Sequence, residues 1–141
     1  MKNILFLCTG NSCRSVLAEA YVNHTSDEWQ AFSAGSQPTG EVHPIAIETL
    51  KSLGIDASYA RSKNWNEFAG ADAPLMDVIV TVCDSAAGET CPVWPGHPTT
   101  YHWPFPDPAK YSGSEEDTRI HFREVFAMIK KRIDNFLACE G

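Results

Sequence analysis

Long apolar stretches are missing from this 141-residue chain; the run near its start, residues 4–8, is too short for a secretory core or a membrane span. Positive charge is scarce as well, with 11 Lys+Arg against 18 Asp+Glu and a formal charge of −7. A chain of that sign is a poor partner for nucleic acid or anionic lipid, so neither is expected. Repeats, low-complexity tracts and linkers are absent too, which leaves a single domain over residues 1–141. That length can bury a core without staples. A composition of 43% hydrophobic and 21% charged residues excludes a disordered chain. With no targeting segment to read, the cytoplasm is the expected location. Nothing in the pattern calls for an organic cofactor or a metal.

Cysteine, by contrast, is present five times, at Cys8, Cys13, Cys83, Cys91 and Cys139. An odd count in a reducing compartment argues against a disulfide framework and for catalysis, redox switching or metal binding. Cys83, Cys91, His97 and His102 form a Cys-x7-Cys-x5-His-x4-His series. Structural zinc favours cysteines only about two to four residues apart, so the histidines read as loop or surface residues. Cys139 reads as incidental.

Residues 2–7 (KNILFL) form a nearly continuous apolar run, as expected of a strand buried on both faces. Small and polar residues follow, and then Leu17, Ala20, Tyr21 and His24 fall on one face of a predicted helix. A second strand is predicted over 30–33, closed by Ala34 and Gly35. Residues 43–53 read as a helix with Pro44 in its first turn and Gly54 just past its end. A short helix is predicted over 65–69, a β-branched strand over 77–82 and a short strand over 101–105, broken by Pro104. In the last helix Phe122, Val125, Phe126, Ile129, Ile133, Phe136 and Leu137 form a stripe. Lys130, Lys131 and Arg132 lie mostly off it, toward the negative end of the helix dipole. Trp94, Trp103 and Phe105 either wall a pocket or fill the core, the commoner use of aromatics.

Strands alternating with helices predict an α/β fold: a parallel sheet with right-handed crossovers, covered on both faces. Functional groups in such sheets gather beyond the carboxyl ends of the strands. Cys8 follows the first strand and Cys83 follows DVIVTV. Adjacent strands lie about 4.8 Å apart, so if these two are neighbours their sulfurs meet with modest loop movement.

The octet Cys8-Thr9-Gly10-Asn11-Ser12-Cys13-Arg14-Ser15 turns the chain from strand to helix through small residues. Backbone N–H groups of Thr9, Gly10, Asn11, Ser12 and Cys13 are then free to converge on one tetrahedral oxyanion. Arg14 adds a bidentate fork to the same oxygens. The helix terminus and the guanidinium favour Cys8 as thiolate; lowering a thiol from ~8.5 to ~6.5 takes about 2.7 kcal/mol. Ser15 is placed to donate a further hydrogen bond to that sulfur. Cys13 points along the new helix and suits packing or thiol protection.

Strand–CTGNSCRS–helix resembles the phosphate loop of the low-molecular-weight protein tyrosine phosphatases, and more closely that of the thioredoxin-coupled arsenate reductases sharing their fold. Phosphatases commonly carry Pro after Arg-Ser; here Val16 follows, and Leu17-Ala18-Glu19 continues as in the reductases. The likeness runs on through Ser33-Ala34-Gly35, His43-Pro44, Gly54-Ile55-Asp56, Val80-Thr81-Val82-Cys83, Cys91-Pro92 and Asp107-Pro108. It implies a three-layer sandwich, a four-stranded parallel sheet with helices on both faces, acting as a monomer. It also implies Asp107 as general acid at the cradle's mouth, although Asp before Pro is a common turn former.

The second cysteine pair separates two activities. A phosphatase needs one nucleophile and water, whereas a reductase must supply two electrons. The resemblance therefore implies that Cys8 attacks arsenate, Cys83 attacks the adduct and releases arsenite, and Cys91 carries the disulfide outward. Closure needs Cα atoms about 5.5 Å apart, so the small, polar segment between Cys83 and Cys91 is expected to refold. Thioredoxin, or glutaredoxin with glutathione, would restore the thiols. The alternatives are a phosphatase with redox-regulatory cysteines and a non-catalytic oxyanion-binding module. Some of these reductases bind potassium beside the loop through residues matching Asn11, Glu19, Ser33 and a carboxylate aligned with Lys63. Either the Lys63 ammonium replaces that ion, pairing with Glu19 and supporting the loop, or it is a solvated surface lysine.

Overall fold

The computed structural model describes residues 2–70, 73–82, 98–106, 108 and 113–140. Among them are strands β1 (Lys2–Cys8), β2 (Trp29–Gly35), β3 (Val78–Thr81) and β4 (Thr99–His102). All pair in parallel in the order β2-β1-β3-β4. The described α-helices are α1 (Arg14–Thr25), α2 (Pro44–Ser52) and α3 (Glu115–Glu140), and a 3-10 helix spans Trp65–Phe68. None is long and apolar enough to cross a membrane.

Alternation along the strands divides the core. On one face Ile4, Phe6 and Cys8 of β1 pack with Leu17 and Tyr21 of α1, Leu50 of α2, and Phe122 and Ile129 of α3. On the other, Leu5 and Leu7 meet Ala34, Ile79, Met76 and the 3-10 helix residues Trp65 and Phe68. Successive side chains of a strand point to opposite faces, so β1 must be apolar throughout to be covered twice. That requirement is why KNILFL reads as an unbroken run.

The path of the chain positions the site. From β1 it crosses by α1 to β2 on one side, then passes to β3 on the other side of β1. Strand order therefore reverses at β1, and sheets of this kind hold ligands in the crevice outside the carboxyl ends at such a reversal. Leu7 faces Thr81, and the Val82 N–H donates to the Leu7 carbonyl at 2.9 Å, so β3 runs out level with Cys8.

Three expectations are corrected. The fourth strand lies at Thr99–His102, upstream of Pro104, which has no N–H for a ladder. It is an edge strand exposed along its length, so it carries no apolar alternation to read. His24 is exposed, whereas the burial of α1 is continuous from Ser15 to Val22. A helix pressed against both sheet and α3 has no clean stripe. Lys130, Lys131 and Arg132 sit well inside α3, which runs on to Glu140 with no basic residue in its last turn. Trp103 is core, packed by Phe136, and Phe105 lies against the same cluster. Cys83, Cys91, Trp94, His97 and Asp107 lie outside the described residues.

Candidate active site

Cys8 ends the inner strand β1 with its residue only 4% exposed, and Arg14 begins α1. The loop between them must present N–H groups inward, which requires its carbonyls to be held elsewhere. Distant segments do this for Thr9, Gly10 and Ser12, and the first turn of α1 does it for Cys13. The Thr9 carbonyl accepts from Gln37 N–H at 2.9 Å, and Gly10 from Thr39 N–H at 3.1 Å and the Ser62 hydroxyl at 3.0 Å. Ser12 accepts from His43 N–H at 2.8 Å and Cys13 from Leu17 N–H at 2.8 Å. With those oxygens engaged, the loop N–H groups are left to face an anion, at the start of a helix that has no acidic residue in its first turn.

Asn11 makes the turn. It is fully buried with φ +46°, a left-handed conformation that Asn tolerates better than most residues. Its side-chain amide donates to Ser15 Oγ at 2.9 Å, while its Oδ1 accepts from the Lys63 backbone N–H at 2.9 Å. Since Ser15 accepts from Asn11, its own proton is left to donate, the polarity that support of a thiolate requires. Gly35, at the end of β2, lies against the same turn. A Cβ there would sit 2.4 Å from the Thr9 carbonyl oxygen and 2.7 Å from that of Cys8. Only a glycine admits this approach.

Arg14 is partly buried, and its Nη1 donates to the Phe105 carbonyl at 3.0 Å. Phe105 in turn donates its N–H to Val82 at 3.1 Å. The guanidinium thereby ties the cradle to the strand ends of β3 and β4. Cys13 is 3% exposed and sits at the N-cap without a side-chain cap bond, consistent with packing.

Behind the loop, Glu19 of α1 accepts from the Ser33 hydroxyl of β2 at 2.8 Å. Burial raises the Glu19 carboxyl above its ordinary 4.5, opposed by the charge of Lys63 and the Ser33 hydrogen bond. Lys63 is 7% exposed, which removes the solvated-lysine reading. Burial lowers its ammonium from the ordinary 10.5, and Glu19 works against that shift. The Lys63 ammonium donates to the Arg61 carbonyl at 3.0 Å, and its charge and that of Glu19 act on each other. The position that would offer a potassium ion a carboxylate carries the Lys63 ammonium instead, whose charge already acts on Glu19, so the residues do not fit that ion.

Of the residues expected at the site, Cys8, Thr9, Gly10, Asn11, Ser12, Cys13, Arg14 and Ser15 form one cradle, with Glu19, Ser33 and Lys63 behind it. His102, read as a loop or surface residue, is exposed on β4, its Nδ1 2.7 Å from Thr81 Oγ1. Reading the sequence missed Ser62, Thr39 and Gln37, which brace the cradle, and the Phe105 carbonyl. Their sole signal was the polar, turn-forming character of their loops.

A family profile described as low molecular weight phosphotyrosine protein phosphatase matches residues 3–139. An arsenate reductase of Halalkalibacterium halodurans is 42% identical over 136 residues, covering 96% of this chain and 94% of that one. Among solved structures, an arsenate reductase in the phosphate binding state superposes with a TM-score of 0.80 at 29% identity, each chain fully covered. A low molecular weight protein tyrosine phosphatase from T. tengcongensis superposes with a TM-score of 0.70 at 26% identity, covering 96% of this chain and 99% of that one.

Proposed function

Because this chain belongs to the low molecular weight phosphotyrosine protein phosphatase family, grouped there with arsenate reductases, we propose that it reduces arsenate to arsenite. The observation that carries the reading is the cradle: a buried cysteine where the strand order reverses, ringed by a loop whose carbonyls are pulled outward. Such a loop selects a tetrahedral oxyanion, and the kinship with arsenate reductases favours arsenate over a phosphate ester.

In the proposed cycle the loop N–H groups and Arg14 hold the arsenate oxygens. The Cys8 thiolate attacks arsenic, and Asp107 protonates the departing hydroxide, which leaves as water. Cys83 then attacks the Cys8 sulfur. The electron pair of the sulfur–arsenic bond stays on arsenic, which departs as arsenite, and a Cys8–Cys83 disulfide remains. Cys91 attacks Cys83, frees Cys8 and leaves a Cys83–Cys91 disulfide. The protein loses two electrons per turnover, and thioredoxin, or glutaredoxin with glutathione, returns them. The chain does this as a monomer in the reducing cytoplasm, where its thiols persist. Lys63, in place of a potassium ion, neutralises Glu19 behind the cradle.

The test is arsenate-dependent NADPH oxidation with thioredoxin and its reductase, run beside glutaredoxin with glutathione. Wild type is expected to turn over with one of the two systems. Cys83→Ser is expected to stop after a single arsenate-derived adduct on Cys8, read by mass. Full turnover by Cys83→Ser overturns the relay. Hydrolysis of p-nitrophenyl phosphate equal in both proteins, with no arsenate-dependent oxidation, establishes the phosphatase instead.

A further inference from the structure

We propose that His43 is a positioning residue for the cradle, and that it works only with its imidazole neutral. The proposal rests on the oxyanion-cradle reading and adds a proton-controlled contact to it. His43 faces three ways. Its backbone N–H holds the Ser12 carbonyl at 2.8 Å, its carbonyl accepts from Ala46 N–H at 3.0 Å to start α2, and its Nδ1 accepts from Ile45 N–H at 3.1 Å. Pro44 at the first helical position has no N–H, so Ile45 is the first backbone donor of α2 and His43 is its cap. The imidazole also packs against the fully buried Phe122 of α3, with ring centroids 4.9 Å apart and the planes tilted by 39°. The Arg119–Glu48 pair, at 2.8 Å, fastens α2 to α3 alongside. One residue thus fixes the Ser12 carbonyl, and with it the cradle, relative to two helices.

Accepting from Ile45 requires an unprotonated Nδ1, hence the neutral ring with its proton on Nε2. Protonation sets two donors face to face, removes the cap and puts positive charge at a helix N-terminus, where the dipole opposes it. The hollow beside the ring is lined by Ser12, Thr39, Glu41, Val42 and Pro44, so Glu41 is the acidic neighbour there. On α3 the ring meets Phe122, which is flanked in sequence by His121, 3.8 Å from Glu124, and by Arg123, while Arg119 is engaged by Glu48. Within α2, Glu48 is therefore occupied by that pair rather than by His43.

Asparagine supplies a cap acceptor that does not titrate, and alanine supplies none. The experiment follows Cys8 alkylation by iodoacetamide, read on its own peptide, in wild type, His43→Asn and His43→Ala from pH 5.5 to 8. The rate ratio of His43→Asn to wild type is expected to rise three- to tenfold between pH 8 and 5.5. That of His43→Ala to wild type is expected to start below one and approach one as the wild type loses its own cap. Parallel pH profiles for all three proteins overturn the proposal. Arsenate turnover of wild type at pH 8 is measured beside these rates. If turnover is absent while the alkylation ratios shift as expected, the functional reading fails and the His43 coupling stands.

Discussion

Replacing Lys63 with methionine tests the electrostatics behind the cradle. The substitution keeps the stem volume and the backbone N–H that braces Asn11, and removes the buried charge that offsets Glu19. Glu19 then has Ser33 as its main support and escapes by taking up a proton. At pH 7 the escape has a ceiling. Protonating a carboxylate from its ordinary 4.5 takes ~1.36 kcal/mol per pH unit over ~2.5 units, about 3.4 kcal/mol. The expected loss lies below that, at about 1–3 kcal/mol, because the ammonium's own desolvation is relieved at the same time. The sign with pH follows. A carboxyl raised in the folded state stabilises the fold as pH falls toward 4.5 and loses that contribution as pH rises through its folded value. At pH 5 the same ceiling is only ~0.7 kcal/mol, so the variant should approach wild type there. Urea melts at pH 7 and pH 5 measure both figures, and adding Glu19→Gln should recover most of the loss at pH 7. An equal or larger loss at pH 5, or no recovery in the double variant, would refute the buried-charge account.

Gly35→Ala places a methyl against the Cys8 and Thr9 carbonyls and should cost about 1–3 kcal/mol; thermal melts check stability and phosphate titration checks the cradle. Asn11→Gly should retain more stability than Asn11→Ala, since glycine accepts φ +46° and alanine pays about 1 kcal/mol or more, yet both lose the Ser15 and Lys63 bonds and should weaken oxyanion binding. Replacing sodium chloride by potassium chloride at fixed ionic strength should leave turnover and melting temperature unchanged. A large potassium-specific gain would show that Lys63 does not stand in for an ion.

Legibility in the sequence followed locality. β1 and α2 could be placed within a residue or two, and α3 by its stripe from Phe122 to Leu137, because burial or amphipathic periodicity marks them directly, although α3 begins earlier, at Glu115. β4 and the burial of α1 resisted. An exposed edge strand has no apolar face, and a helix enclosed on several sides has no polar one.

The sequence by itself determined the chemistry of the cradle: Cys8, the small turn and Arg14 are contiguous, and contiguous residues dictate the strand-to-helix turn that gathers their N–H groups. Tertiary structure alone decided what holds that turn open, because a backbone carbonyl of Thr9 or Gly10 is chemically like any other until a distant segment arrives to accept from. It likewise decided that Lys63 is buried and shares a charge environment with Glu19, 44 positions apart, through desolvation that no single-sequence pattern records.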